Sequence, residues 1–485
     1  MSSAQDRIEP YIWKIVGVVI IGMIMSILDT TIVNVALRDL SEDLHSTLAQ
    51  IQWVATGYLL ALAAVIPLTG WAARRFGAKR VYLASIVLFT LGSALCGFAT
   101  SSTTLILFRV LQGVGGGMIM PVAQMIMAEV SGPKRMGKVM SITVMPAMLA
   151  PILGPVVGGL ILENLHWSWI FFVNVPIGIV ALVLGWRMLP ESQLGEAGKL
   201  DWIGLLLLVT SMPLVVFGLS EIATKESFTA PIVLGPIVGG LILMAIFGRH
   251  ALRTERPLLD VRLYANKIFT AASLTTFGLG AALFGAMILV PLYYQEVRHE
   301  SVIVTGLLVG PQGLGMLMVS PWTARLTQRF GGGRVAMVGV TLLCLSTVPL
   351  AFVDASTSIL GISLTLLVRG VGIGLSFIPT TTVAFASLRT DQLSDATPQM
   401  NVLQRVGGAI GTAVLAVVLQ QASKGASSTA DLASAFGTAY WWALGISAAS
   451  LIPVVVLLRA ENQKPGAPES PAEELAEAEI EPLGA

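Results

Sequence analysis

Apolar runs separated by short polar breaks fill most of this chain, and the runs are long. At a rise of 1.5 Å per residue, about 20 apolar residues cross the ~30 Å hydrocarbon layer of a bilayer. Fourteen helices follow from that pattern, over 12–37, 49–71, 80–100, 103–127, 138–161, 168–189, 201–220, 230–249, 267–291, 303–325, 335–354, 358–385, 401–421 and 436–458. An even number puts both ends of the chain on one side of the membrane. The expected fold class is an all-α membrane protein.

The polar breaks carry the orientation. Of the 29 Lys and Arg, 22 fall on the side that holds the termini and 4 (Arg38, Lys225, Arg298 and Lys424) on the other. Basic loops stay in the cytoplasm, so both termini are expected there. The longest breaks on that side, 190–200 and 250–266, flank the helix pair 201–249. The pair reads as an insertion between two six-helix bundles. The expected division is 1–189, an inserted pair with its linkers over 190–266, a second bundle over 267–459, and a tail over 460–485. The tail holds seven Glu and little that is bulky and apolar, so it is expected to be solvated and disordered.

The bundles share motifs. RFGAKRV (75–81) returns as RFGGGRV (329–335), and LFRVLQGVGGG (107–117) has an echo in LLVRGVGIG (366–374). Parallel repeats of this kind place a substrate site near mid-membrane, between the halves.

Composition narrows the class further. Hydrophobic residues make up 55% and charged residues 12%, with mean hydropathy +0.80; soluble domains carry about 25% charged residues. The net charge of +1 offers nothing to nucleic acid. Cys96 and Cys344 lie in apolar segments, without metal-ligand spacing or a disulfide framework. The first apolar run exceeds the roughly 7–15 residues of a signal-peptide core. No G-x-x-x-x-G-K-[ST] string occurs, so ATP is not the energy source and no cofactor is expected. An ion gradient, or the substrate's own, has to drive any transport.

Against this apolar background a carboxylate within a span stands out, because intramembrane charges are costly and face the bundle interior. Asp29 is such a residue, whereas Glu129, Glu163, Glu221, Glu296 and Asp354 fall at span ends or in loops. Counting from the helix centres at 1.5 Å per residue, Asp29 lies about 7 Å and Arg109 about 9 Å toward the outer side, so the two charges can pair. Desolvation and a neighbouring arginine pull a carboxylate's proton affinity in opposite directions. A carboxylate that alternates between closed and water-filled states can carry a proton. Arg369 falls mid-span and reads as a symmetric structural partner. Arg405, one turn into the thirteenth predicted helix, reads as a side chain that snorkels to the interface.

Gly154, Pro155, Gly158 and Gly159 in APILGPVVGGL (150–160) predict a bend and a close helix contact. The near-copy LGPIVGGLIL (234–243) falls in the inserted pair and is expected to serve packing alone. Met118, Met120, Met125, Met127, Met145 and Met148 line the fourth and fifth predicted helices with adaptable apolar surface.

These motifs together resemble the fourteen-helix drug–proton antiporters of the major facilitator superfamily, over residues 10–460. LDTTIVNVAL (28–37) is similar to that family's first-helix motif through Asp29 and Asn34. GWAARRFGAKR (70–80) matches its loop motif at Gly70, Gly77, Lys79 and Arg80. FRVLQGVGGG (108–117) matches at Arg109, Gln112 and Gly113, GPVVGG (154–159) resembles the antiporter motif, and WIFFVNVPIG (169–178) the segment after it. The resemblance implies alternating access between two six-helix bundles in the cell inner membrane. It implies a monomer in which Asp29 couples protons and Arg109 tunes it, exporting lipophilic, often cationic compounds. Candidate substrate contacts are Asp29, Asn34, Tyr58, Gln112, Met118, Met148 and Gln312. An alternative is a dedicated exporter of one endogenous metabolite, lipid or self-made antibiotic. Two departures matter: Arg74 stands where the loop motif has an acid, and Arg38 where the first motif closes on proline. The acid's usual contact with a neighbouring helix must then be remade or absent.

Overall fold

The computed structural model describes residues 9–191, 198–225, 229–389 and 392–462, without the side chains at 34–35, 38, 48–49, 132–138, 140–153, 155, 223–225 and 302–303. The expected tail beyond Asn462 lies outside these residues. All regular structure among them is helical: α1 (Pro10–Val35), α2 (Leu37–Asp43), α3 (Leu48–Val65), α4 (Leu68–Phe76), α5 (Ala78–Gly97), α6 (Ser102–Asn164), α7 (Trp169–Phe172), α8 (Asn174–Met188), α9 (Trp202–Lys225), α10 (Pro231–Arg253), α11 (Lys267–Leu292), α12 (Val302–Phe330), α13 (Gly332–Leu350), α14 (Ile359–Ala386), α15 (Leu393–Ala422), α16 (Thr429–Ala449) and α17 (Leu451–Asn462). Among the described residues twelve helices are long and apolar enough to cross a membrane, and α3 with α4, bent by 56°, makes a thirteenth if taken together.

Local chemistry explains the boundaries. Thr47, Ser101 and Ser428 each form a reciprocal capping box with the third residue of the helix they open. Pro67, at the junction of α3 and α4, has no N–H to continue the ladder, and the expected single helix over 49–71 is broken there. Gly77 and Gly331 end α4 and α12 at φ 87° and 86°, a backbone region that glycine reaches without strain. The two copies of the RFG motif thus make the same turn.

The expected helices 103–127 and 138–161 form one helical stretch, α6. It is not straight. A straight helix would separate residues 109 and 154 by about 68 Å. Yet Arg109 meets Asp29 and Gly154 packs on Thr31, two positions of α1 within one turn. The chain therefore folds back between them. Its first arm is drawn onto α3 at Gly113, where a Cβ would stand 2.6 Å from the Tyr58 carbonyl oxygen.

Two other boundaries differ in ways that bear on function. The helix expected to begin at 401 begins at Leu393, because the polar residues of LSDATPQ face protein rather than water. Arg405 is therefore three turns into α15, too deep to snorkel to that end. The last helix reaches Asn462, three residues into the expected tail. Glu461 there accepts from the backbone N–H of Gly332 and Gly333 at 2.9 and 2.6 Å and caps α13.

In the inserted pair, α9 packs along α10 and also lies against α3 and α15. Asp201 staples the pair, accepting from Gly204 N–H at 2.9 Å and Leu258 N–H at 3.3 Å and lying 2.8 Å from His250 Nε2. Gly240, in the near-copy of the antiporter string, sits against the Ser211 carbonyl and does serve packing.

Candidate functional site

The Asp29 carboxylate lies in the third quarter of α1, fully buried. Arg109, in the second turn of α6, places Nη1 2.6 Å from Asp29 Oδ2. The same Nη1 donates to Gln112 Oε1 at 2.8 Å, and Gln112 returns Nε2 to Asp29 Oδ1 at 2.9 Å. Gln112 follows Arg109 by three residues, one turn on, so both reach the carboxylate from one face of α6. Arg109 Nε donates to the Val54 carbonyl at 3.2 Å, and the guanidinium lies 4.1 Å from the centre of the Tyr58 ring. The cation is thus held by a carboxylate, an amide, a carbonyl and a π face.

A second amide completes the cluster. Asn174 opens α8, 145 positions from Asp29, and donates Nδ2 to Asp29 Oδ1 at 2.9 Å and to Ser93 Oγ at 3.0 Å. Ser93 in turn donates to the Phe171 carbonyl at 2.9 Å. Asn174 Oδ1 is buried with no hydrogen-bond partner among the described residues. Three helices, α1, α6 and α8, therefore meet at one carboxylate, with α3 and α5 bracing its partners, and the cluster carries no net charge.

Asn174 and Ser93 escape the sequence reading. Their signal is modest: a lone carboxamide inside WIFFVNVPIG, and a serine one turn before Cys96. Cys96 itself is buried and lies 3.6 Å from Gln112 Oε1.

The other candidates scatter. Tyr58 and Gln112 belong to the cluster. Met118 is partly buried against the first-half core. Gln312 stands apart on α12, its carbonyl against Gly370 of α14. The side chains of Asn34, Met148 and Pro155 lie outside those described. Gly158 is buried and Gly159 partly so.

The loop-motif residues gather where α4 meets α15. Gly70 lies against the Ser394 carbonyl, so the two backbones touch. Arg74 Nη1 lies 2.8 Å from Asp395 Oδ1 and donates to Ser394 Oγ at 2.8 Å. The contact that an acid at position 74 would make is remade with the charges reversed. Nearby, Lys79 Nζ lies 3.0 Å from Glu191 Oε1, and its hydrogen bond and charge hold that carboxyl below the usual carboxylate range. Arg80 is exposed.

The second half has an arginine without an acid. Arg369 is buried, donating Nη1 to Thr347 Oγ1 at 2.5 Å and Nη2 to the Ala282 carbonyl at 3.3 Å. Ala282 follows Asp29 by 253 residues, against an offset of 254 between the RFG motifs. A backbone carbonyl thus stands where the first half has a carboxylate.

Comparison with known proteins agrees with this architecture. A multidrug resistance protein B homolog of Mycobacterium tuberculosis is 39% identical over 420 residues, 86% of this chain and 78% of that one. The multidrug export protein EmrB of Haemophilus influenzae is 32% identical over 394 residues, 80% of this chain and 77% of that one. A double-tryptophan mutant of XylE superposes with a TM-score of 0.66 at 14% identity, over 96% of this chain and 99% of that one, which speaks for the fold alone. The Major Facilitator Superfamily model matches residues 19–412, nearly the whole helical region. The chain belongs to the Major Facilitator Superfamily.

Proposed function

We propose that this transporter exports lipophilic compounds from the cytoplasm in exchange for protons, with Asp29 as the proton carrier. Superfamily membership makes the chain a membrane transporter and not an enzyme. Relatives named for multidrug resistance and export support efflux of drugs. The observation that carries the coupling is the buried Asp29–Arg109 pair with its two amides. Its chemistry suits exchange. In one state Asp29 is charged and held by Arg109; in the other, with the arginine withdrawn, it carries a proton. Asn174 can serve both, because its Nδ2 donates to a carboxylate and its unpartnered Oδ1 can accept from a carboxylic acid.

The chain is read as a fourteen-span drug–proton antiporter of the inner membrane. Twelve apolar helices, the bent α3–α4 pair and the second arm of α6 support that number. The basic loops support cytoplasmic termini. Residues 1–189 and 267–459 are the two moving bodies, a monomer suffices, and the proton gradient is the only energy source. In this conformation the bodies are latched at the cytoplasmic end, through Arg74–Asp395 and through Asn401, which donates Nδ2 to Gln124 Oε1 at 2.8 Å.

That the exported compounds are cationic is an implication of the resemblance which the cluster does not strengthen, since the one acid in it is already neutralised by Arg109. The test is efflux from proteoliposomes loaded with a neutral lipophilic dye. An imposed pH gradient should drive dye movement and lose its own amplitude in proportion. Movement that ignores the gradient would refute coupling, and no movement would refute export.

A further inference from the structure

α15 turns two faces to two different neighbours. One packs on α11, with the Gln404 carbonyl against Gly280, Gly407 against the Phe277 carbonyl and Gly411 against that of Ala281. The other meets the first half: Ser394 touches Gly70 and Arg74, and Asn401, seven residues on, bonds Gln124. Four residues past Asn401 on this same face comes Arg405. At 1.5 Å per residue it lies about 18 Å into the helix, at the level where the halves enclose the transport path.

Arg405 differs from the two buried arginines. Arg109 has its carboxylate, and Arg369 is tied to a hydroxyl and a carbonyl. Arg405 has neither a hydrogen bond nor an ion pair to any described residue. The ionisable group that acts on it is the Tyr58 phenol, across the interface on α3. It is partly accessible and lies on the face of α15 that meets the first half. The undescribed side chains of 132–153 cannot neutralise it, because that stretch contains no Asp or Glu. Asp29 and Arg109 cancel each other, whereas no acid among the described residues pairs with Arg405.

A desolvated guanidinium is a planar fork of donors that matches a carboxylate, sulfonate or phosphate in bidentate fashion. We infer that Arg405 is the anchor of an anion subsite in the central cavity, and that this transporter prefers lipophilic compounds bearing an oxyanion over their neutral or cationic counterparts. The inference rests on the proposed central transport path, but it assigns the opposite charge to the substrate from the one the resemblance implies.

The test is binding rather than transport, so that it stands apart from the coupling reading. Full-length protein in phosphatidylcholine nanodiscs is titrated with pyrenebutyrate, its amide and the corresponding trimethylammonium compound, followed by pyrene fluorescence. Wild type should bind the carboxylate at least ten-fold more tightly than the other two. Arg405→Gln should bring the three within about two-fold while leaving the amide's affinity unchanged, which shows that the variant is folded. Arg405→Lys keeps the charge without the fork and should fall between. An unchanged carboxylate preference in Arg405→Gln, or equal affinities in wild type, overturns the inference. So does a preference that vanishes when phosphatidylglycerol replaces part of the lipid, since a headgroup phosphate would then own the site. Should the anion bind as expected while the pH gradient drives no dye, the subsite stands and proton coupling falls.

Discussion

Asp29 and Arg109 are 80 positions apart in the chain, yet they bring a carboxylate oxygen and a guanidinium nitrogen to 2.6 Å with neither side chain more than 1% exposed. Removing one member of such a pair leaves the other charge buried and alone, at a cost of about 3–5 kcal/mol. Asp29→Asn should lie at the lower end, because the amide still meets Gln112 and Asn174. Adding Arg109→Gln should then recover part of the loss, since both charges are gone. Thermal unfolding in detergent measures this. A double variant less stable than Asp29→Asn would show that the arginine is held by something other than the acid. Both variants should reduce gradient-driven efflux to the level of empty liposomes.

Asn174 should act only through Asp29. Its amide donates to the carboxylate, a charge-assisted bond worth about 1.5–3 kcal/mol. Asn174→Ala should therefore slow gradient-driven efflux in wild type and change nothing further in an Asp29→Asn background. Equal relative losses of residual dye exchange in both backgrounds would give Asn174 a role of its own.

How far the sequence carried this site depends on the kind of signal. A carboxylate and an arginine in apolar runs are legible because their cost is intrinsic to the residue, and their matched depth follows from helical rise alone. Asn174 is not, because a carboxamide in a span is cheap enough to be ordinary; what singles it out is an inter-helix contact 145 positions away. The depth of Arg405 is hidden from the sequence for a different reason. Polar residues ahead of it resemble a loop, but Ser394, Asp395 and Asn401 are polar because another half of the protein faces them. Polarity in a membrane protein marks water or an interface, and the sequence alone does not say which. The folding back of α6 is likewise a tertiary outcome.

Arg74 and Asp395 join the two halves with the opposite polarity from the one the loop motif leads one to expect, which gives a swap test. Both side chains are about one-fifth exposed, and a partly exposed pair contributes roughly 1 kcal/mol or less. That is enough to tilt an equilibrium between two conformations of similar energy. Arg74→Asp and Asp395→Arg should each favour opening of the halves at this end, and the double exchange should restore closure. Spin labels on Arg75 and Ala386, both exposed and on opposite halves, report this as a longer distance in the singles and the native distance in the double. Singles that leave the distance distribution unchanged would reduce the pair to decoration.

The strings LGPVVGGLIL and LGPIVGGLIL differ at one residue, and their first glycines lie in opposite environments. A Cβ on Gly154 would stand 2.5 Å from Thr31 Cβ and closer still to its hydroxyl oxygen, so α6 or α1 must give. At Gly235 nothing lies within 4 Å of a Cβ. Overpacking costs about 1–3 kcal/mol, whereas glycine in an open helix position is about 1 kcal/mol worse than alanine. Gly154→Ala should therefore lower the unfolding temperature and disturb transport, since Thr31 lies two residues from Asp29. Gly235→Ala should raise stability slightly and leave transport alone. Because the two substitutions are chemically identical within almost identical sequence, any difference between them belongs to packing. If both were neutral, α1 and α6 would have slack beside Asp29, and the close contact would not position it.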